Sequence, residues 1–207
     1  MAKKKDSSKR WLSRHAKDIY VRLAKNSGFR SRASYKLIQL QQKFDLLHAG
    51  QTIVDLGAAP GGFSQVAQDL VGETGRVIAL DQLDMDPLDG VEFIKGDFTE
   101  DATLQQLLQL LDGRPVDLVI SDMAPNLSGM KGIDQPRSIY LAELALDVSA
   151  CVLGAGGSLL VKCFEGSGID EVRQSFRESF RQVNNVKPDA SRSRSREIYL
   201  LGRGYRT

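Results

Sequence analysis

Apolar residues in this chain form short, nearly continuous runs, separated by longer stretches in which apolar positions recur every three or four residues. The runs at 116–120 and 158–161 are mostly Val, Leu and Ile, which is typical of strands in a sheet covered by helices on both faces. The longer stretches are typical of amphipathic helices. The pattern predicts strands at 52–55, 76–81, 91–95, 116–121, 157–163, 183–187 and 197–201, and helices at 31–47, 63–70, 103–111, 138–152 and 169–180.

The order of these elements predicts the fold class. Strands and helices alternate through most of the chain, but only a loop joins the strands 183–187 and 197–201. Parallel neighbours need a long crossover, whereas antiparallel neighbours need only a loop, so the last two strands are predicted to pair antiparallel. We therefore predict an α/β protein with a seven-stranded, mostly parallel sheet and helices on both faces. A length of 207 residues allows one full core and a short appendage.

A glycine-rich turn follows the first predicted strand. It runs from Asp55 to Phe63 and contains Gly57, Gly61 and Gly62. Glycines let the backbone approach a ligand closely, and a helix beginning near the end of the turn would direct free N–H groups at that ligand. The spacing matches neither the dinucleotide fingerprint nor a P-loop. The turn therefore indicates a nucleotide-like cofactor and favours S-adenosylmethionine over NAD or ATP; the alternative is a turn whose glycines serve packing alone.

Acidic residues follow each of the first three predicted strands. Asp55 could order the glycine turn or meet a cationic amino group of the cofactor. Asp81 could accept hydrogen bonds from both ribose hydroxyls, and Asp97 is suited to the adenine amino group. Each residue alone could instead cap a helix or lie in a solvated turn. Their order along a sheet that binds ligands beyond the carboxyl ends of its strands favours a cofactor site.

Two further strands end near residues that could take part in catalysis. The fourth leads into the segment 121–126, which contains Asp122 and has Asn126 where amino-methylating enzymes often place an aromatic residue. That difference argues against methylation of a base nitrogen. The fifth strand carries Lys162 near its end, where the side chain either faces the cleft or extends to solvent.

Charge is distributed unevenly. Residues 1–36 contain 12 Lys and Arg against two Asp, a net charge of +10, whereas residues 37–207 carry −8. A basic arm beside an acidic body is expected of a protein that binds a polyanion, and aromatic residues among these charges could stack on bases. For the first ten residues a solubilising tail is the alternative. A second, short basic patch comprises Arg192, Arg194 and Arg196.

Composition excludes several classes of protein. No apolar window approaches 18 residues and the basic N-terminus is followed by no apolar stretch, so we predict a cytoplasmic protein without a membrane span. Cys151 and Cys163 lack the spacing of a metal or redox site, and His15 and His48 are far apart in sequence. We therefore predict no metal site and two buried free thiols.

Taken together, these motifs resemble the FtsJ/RrmJ family of RNA 2'-O-ribose methyltransferases. The resemblance rests on residues 55–63, 121–126 and 161–164, with 34–37 and 195–197, and covers essentially the whole chain. It implies a Rossmann-like fold that uses S-adenosylmethionine. It implies a catalytic tetrad at Lys36, Asp122, Lys162 and Glu197, and cofactor contacts at Gly61, Phe63, Asp81, Asp97 and Asp122. Phe63 stands where some members have Trp, which keeps an apolar plane and loses an N–H donor.

The resemblance also implies a reaction and a substrate. The length and the basic arm are similar to those of bacterial members that modify large-subunit ribosomal RNA, so the implied reaction is methyl transfer to a uridine 2'-hydroxyl of 23S ribosomal RNA, in the 50S subunit. We expect residues 1–30 to be a basic, partly flexible arm that contacts RNA, residues 31–207 to be the catalytic domain, and the protein to be a monomer. The alternatives are a methyltransferase acting on transfer RNA or an RNA cap, and a non-catalytic RNA-binding assembly factor. A dehydrogenase is disfavoured by the missing dinucleotide fingerprint.

The resemblance assigns Lys162 as the group that accepts the hydroxyl proton. Asp122 and Glu197 would favour the charged form of this lysine, whereas Lys36 would oppose it. Two roles therefore stay open at the level of sequence. Lys162 is either a neutral base before attack or a cation that stabilises the incipient alkoxide.

Overall fold

Residues 18–126 and 128–207 are described by the computed structural model of the chain. One sheet contains all the strands in these residues: β1 (Thr52–Leu56), β2 (Arg76–Asp81), β3 (Val91–Lys95), β4 (Val116–Ser121), β5 (Leu153–Phe164), β6 (Phe180–Val186) and β7 (Glu197–Tyr205). The helices described are α1 (Ile19–Asn26), α2 (Ser34–Phe44), α3 (Gly62–Val71), α4 (Asp101–Leu111), α5 (Lys131–Val152) and α6 (Ile169–Ser179).

The strand order is β3-β2-β1-β4-β5-β7-β6. Pairing is parallel from β3 through β5, and β7 runs antiparallel to both of its neighbours. The predicted α/β fold, its seven strands and its antiparallel ending are therefore confirmed. Because β7 is antiparallel, its first residue lies at the same edge of the sheet as the last residue of β5, and Phe164 is the register partner of Glu197.

Helices cover the sheet on both faces, as the apolar strands predict. Successive strand residues point to opposite faces, so Ile53 joins one apolar cluster and Val54 the other. The Val54 side includes Leu107 of α4 and Phe176 of α6, and the Ile53 side includes Leu37 of α2. The sheet is thus the buried middle layer between two layers of helices.

Two helices differ most from the prediction, and α2 is also shorter than the predicted 31–47 by three residues at each end. Helix α5 begins seven residues before the predicted 138–152 and contains Pro136. A proline inside a helix removes one backbone donor and usually kinks or breaks the helix, so a start before Pro136 is not the one that the sequence favours. The start of the helix is held by Asp134, whose carboxylate accepts hydrogen bonds from the backbone N–H groups of Ser128 (2.8 Å) and Gly129 (3.0 Å).

Helix α1 was not predicted, because its charged sequence hides a short apolar face. Asp18 caps it by accepting a hydrogen bond from the N–H of Tyr20 at 3.1 Å, and Val21 is buried. The Tyr20 ring lies 5.5 Å from that of Tyr35 on α2, and Asp18 pairs with Arg32. Part of the predicted arm is therefore folded against α2. Residues 1–17 lie outside the described residues, and the division at residue 30 stays a prediction.

The structure also bears on the predictions for the two cysteines and for a membrane span. Cys163 is buried as predicted, but Cys151 is exposed, so the prediction is wrong for Cys151, which lies near the end of α5 on its outer side. Across residues 18–126 and 128–207, no helix has the length and apolar character needed to span a membrane.

The packing around β7 gives a first testable prediction. A Cβ atom at Gly202 would lie 2.4 Å from Cδ2 of Phe180, whose side chain is fully buried. We expect Gly202→Ala to lower the free energy of unfolding by about 1–3 kcal/mol, the usual cost of overpacking. Urea denaturation measures the change. Gly132→Ala is the matched control, because its Cβ meets nothing within 4 Å; equal stability of the two variants would contradict the prediction.

Candidate active site

The glycine turn links β1 to α3 and is tied to β2. The N–H groups of Gly57 and Ala58 both donate to the carbonyl oxygen of Leu80, at 2.9 and 3.0 Å. Gly57 has a φ of +72°, and a Cβ there would lie 2.2 Å from Cγ of Met123. Both the positive φ and the close approach of the segment after β4 therefore require glycine at this position.

The same turn contacts the segment that leads into α2. A Cβ at Gly62 would lie 2.1 Å from Oγ of Ser31, and the buried hydroxyl of Ser34 donates to the carbonyl oxygen of Gly62 at 2.9 Å. The predicted cofactor turn and the helix that carries Lys36 are therefore in direct contact.

The side chain of Asp55 is buried and accepts a hydrogen bond from a serine of α3. Asp55 is 1% exposed, and its Oδ2 accepts a hydrogen bond from Oγ of Ser64 at 2.6 Å. Burial raises the pKa of Asp55 to about 7, although the Ser64 hydrogen bond acts in the opposite direction. Of the two roles open at the level of sequence, this contact favours ordering of the turn.

Asp81 and Asp97 also make local contacts. Oδ2 of Asp81 accepts from the N–H of Ala59 at 2.9 Å, and Oδ1 accepts from the N–H of Leu83 at 2.8 Å. Oδ1 of Asp97 accepts from the N–H and the hydroxyl of Thr99, and the hydroxyl contact is the main cause of a lowered pKa. Local hydrogen bonds of this kind fit the alternative to cofactor binding, in which each acid caps a helix or lies in a turn. Roles of Asp81 and Asp97 in cofactor binding stay predictions.

The four residues of the predicted tetrad lie together. Lys36 comes from α2, Asp122 directly follows β4, Lys162 lies in β5 and Glu197 begins β7. Nζ of Lys36 lies 3.1 Å from Oδ1 of Asp122 and 2.9 Å from Oε1 of Glu197. Nζ of Lys162 lies 3.0 Å from the same Oδ1 of Asp122 and also donates to the backbone carbonyl of Asp122. Two positive and two negative groups thus form one connected cluster.

Asp122 is the centre of this cluster. Its Oδ1 accepts from both lysines and from the hydroxyl of Tyr199. Burial acts to raise the pKa of Asp122, but the charges of Lys162 and Lys36 outweigh burial, and the pKa is lowered. The carboxylate is therefore ionised at neutral pH and accepts hydrogen bonds from both lysines.

Two contributors to the cluster were missed at the level of sequence. Tyr199 is fully buried, stacks on Phe63 with ring centroids 6.4 Å apart, and is the register partner of Lys162. It follows Glu197 by two residues on one strand, so strand alternation could have found it. Ser191 donates from Oγ to Oε1 of Glu197 at 2.7 Å. No sequence signal identifies Ser191, because its contact depends on the path of the loop between β6 and β7.

A cavity of about 380 Å³ joins the turn to the cluster. It opens at the edge of the sheet where β1 and β4 end. Its lining includes the predicted site residues Lys36, Asp55, Gly57, Gly62, Phe63, Asp122 and Glu197, together with Arg32, Arg192 and Ser195. Gly61, Asp81, Asp97 and Lys162 are outside this lining, and Lys162 reaches it through its contacts with Asp122. One wall therefore comes from the glycine turn, and the opposite wall carries three tetrad residues, Lys36, Asp122 and Glu197, beside the basic residues.

The raised pKa of Asp55 predicts a pH-dependent stability. Protonation of the buried carboxyl stabilises the fold fully below its ordinary pKa of 3.8, and this contribution is lost as the pH rises through about 7. Asp55→Asn should therefore match the wild type near pH 4 and exceed its stability above pH 7, by at most about 4 kcal/mol. Denaturant unfolding at several pH values measures this difference. Asp69→Asn, at an exposed site on α3, is the control, and a difference between Asp55→Asn and wild type that does not change with pH would contradict the assignment.

Comparison with known proteins agrees with this arrangement. The sequence profile of the family described as FtsJ-like methyltransferase matches residues 29–205. Proteins named ribosomal RNA large subunit methyltransferase E are similar: one from Hahella chejuensis is 56% identical over 200 residues, 97% of each chain, and one from Pseudomonas aeruginosa is 54% identical over 206 residues, 100% of this chain and 99% of the relative. The crystal structure of a ribosomal RNA methyltransferase from Plasmodium falciparum has a TM-score of 0.76 at 30% identity, over 86% of this chain and 98% of that one. This chain therefore belongs to the family of FtsJ-like methyltransferases.

Proposed function

We propose that this protein transfers a methyl group from S-adenosylmethionine to a ribose 2'-hydroxyl of large-subunit ribosomal RNA, with a uridine of 23S RNA in the 50S subunit as the target. The observation that carries the proposal is the single connected cluster of Lys36, Asp122, Lys162 and Glu197 beside the glycine turn. The names of the bacterial relatives support the choice of RNA.

The cofactor is implied by the family and the fold, and the cavity residues fit it. Asp122 supplies a carboxylate for a cationic ligand, Ala58 and Phe63 supply apolar surface, and Asp55 orders the turn beneath them through Ser64. When bound, S-adenosylmethionine supplies an electrophilic methyl group on a positively charged sulfur. The backbone of Gly57 and the ring of Phe63 would hold it on the turn side of the cavity. Asp81 and Asp97 would act further along the same edge of the sheet.

The tetrad would align and activate the ribose hydroxyl. Two of the three N–H groups of a charged Lys162 are directed at oxygens of Asp122, which leaves one for the substrate oxygen. Because Asp122 is ionised, this geometry favours the role in which Lys162 is a cation that stabilises the incipient alkoxide. The hydroxyl proton then leaves to water as the new C–O bond forms. Lys36 also contacts Asp122, and Glu197 in turn holds Lys36.

Basic residues on the opposite wall suit the RNA. Arg32 and Arg192 line the cavity near the tetrad, where a nucleotide placed with its ribose at Lys162 would bring its phosphates. Phosphate contacts of this kind position RNA without reading its sequence. The cytoplasmic location and the monomeric state stay predictions that accompany this proposal.

Loss of Lys162 is the direct test of the reaction. We expect Lys162→Ala to slow transfer of labelled methyl groups by about 10³-fold, within the range for groups that act on the transferred proton or on developing charge. The dissociation constant of S-adenosylhomocysteine, measured by calorimetry, should change by less than about threefold, which is under 1 kcal/mol. Lys43→Ala, exposed at the far end of α2, is the control.

The same assay identifies the substrate. Intact large subunits, free ribosomal RNA and transfer RNA are compared, all from cells that lack this protein. Normal turnover by Lys162→Ala would refute the catalytic role. Transfer to transfer RNA alone would refute the ribosomal substrate, and wild-type protein that binds RNA without any methyl transfer would be a non-catalytic RNA-binding factor.

The predicted arm can be tested by its effect on salt dependence. Residues 1–17 contain seven Lys and Arg against one acid, and truncation after residue 17 keeps Asp18, which pairs with Arg32. We expect the truncated protein to bind ribosomal RNA more weakly and with a shallower dependence of log Kd on log salt concentration, because fewer counterions are released. Affinity for S-adenosylhomocysteine serves as the control and should not change. An unaltered salt slope would contradict an RNA-binding arm.

A further inference from the structure

Arg30 makes an unusual set of contacts for a residue in a basic segment. Its Nη1 lies 3.3 Å from the carbonyl oxygen of Pro60 and 2.5 Å from that of Asp86, and its Nη2 lies 2.5 Å from the carbonyl oxygen of Pro87. Pro60 belongs to the glycine turn, and Asp86 and Pro87 belong to the loop 82–90 between β2 and β3. One guanidinium group therefore bridges these two segments.

The backbone of Arg30 is itself fixed. Its N–H donates to Oε1 of Gln65 on α3 at 3.0 Å, and Nε2 of the same glutamine donates to the carbonyl oxygen of Gly28 at 3.0 Å. The side chain thus extends from an anchored position. A planar guanidinium with several N–H donors can bridge several acceptors at once, which a lysine ammonium on a flexible stem does less well.

The loop held by Arg30 packs onto the glycine turn. Met85 is buried against Ala58, and Leu88 packs at the same cluster. A Cβ placed at Gly61 would lie 2.9 Å from Cδ1 of Leu88 and 3.2 Å from Cδ of Arg30. The loop and the arginine therefore close on the turn from outside the cavity. The start of the loop is tied to the turn by Asp81, whose two oxygens accept from Ala59 and Leu83.

The neighbouring arginine has different partners. Arg32, two residues later, pairs with Asp18 and donates to the carbonyl oxygen of Ala190 in the loop between β6 and β7. It also lines the cavity, whereas Arg30 does not. The two side chains serve opposite ends of the site, so the shared basic character of this segment does not imply a shared role.

We infer that Arg30 is a positioning residue of the cofactor site. It fixes the loop 82–90 on the glycine turn and acts on cofactor binding rather than on RNA phosphates. The inference rests on the proposed function, because it takes this turn as the place where the cofactor binds.

Arg30→Ala and Arg30→Lys test the inference in the full chain. We expect both variants to raise the KM for S-adenosylmethionine and the Kd of S-adenosylhomocysteine about tenfold, equivalent to about 1.4 kcal/mol. The kcat at saturating cofactor should stay within about threefold. Hydrogen exchange should become faster for the backbone amides of residues 83–90. RNA affinity and its salt slope should not change. Arg114→Ala, exposed before β4 at the opposite edge of the sheet, is the control.

The outcomes separate three cases. If the Kd of S-adenosylhomocysteine is unchanged while RNA affinity and the salt slope fall, Arg30 is a phosphate contact and the inference is overturned. Unchanged exchange in 83–90 would also overturn it. If wild-type protein itself fails to bind S-adenosylhomocysteine, the proposed function fails instead. Should Arg30→Ala not fold, Arg30→Lys keeps the positive charge and its exchange pattern decides the question.

Discussion

The ionised carboxylate of Asp122 is the constraint on which the site depends. Its Oδ1 accepts from Lys36, Lys162 and Tyr199, which come from α2, β5 and β7. A buried charge is tolerated only where opposite charges and hydrogen bonds compensate for lost hydration. Removal of any one donor would leave the others beside an incompletely satisfied acceptor. The carboxylate and its donors therefore stabilise one another, and three distant parts of the chain are fixed to the end of β4.

The antiparallel direction of β7 makes this arrangement possible. In a purely parallel sheet, residues that begin a strand lie at the edge opposite to residues that end one. Because β7 is reversed, Glu197 at its start lies beside Phe164 at the end of β5, and Tyr199 lies opposite Lys162. The long loop before β7 reaches the same edge, where Ser191 donates to Glu197. The tetrad therefore depends on the topology, because a parallel β7 would remove Glu197 and Tyr199 from the site.

Sequence patterns predicted the sheet better than the site. Continuous apolar strands identified β2, β3 and β4 with their observed bounds, because burial on both faces leaves little freedom in composition. The tetrad came from resemblance to a family, since no spacing rule joins Lys36 to residues 86 and more positions away. Alternation of side chains along β7 could have identified Tyr199 from the position of Glu197. No sequence pattern could identify the roles of Ser191 and Arg30, because their partners are backbone and side-chain oxygens whose positions depend on how loops pack. Asp55 shows the same limit: its residue type allowed two roles, and only its contact with Ser64 separates them.

The electrostatic balance of the cavity follows from two carboxyls with different surroundings. Asp55 is buried with a neutral hydroxyl partner, so its pKa is raised to about 7, whereas the lysines around Asp122 lower the pKa of that carboxyl. In its charged form the tetrad has two cations and two anions, so the cluster itself is close to neutral. Methyl transfer from a sulfonium to an alcohol releases a proton and removes the positive charge from sulfur. In the proposed reaction, a carboxylate that stays ionised, as Asp122 does, can hold its donors in place throughout, whereas Asp55 gains or loses its proton near neutral pH and supplies no fixed charge.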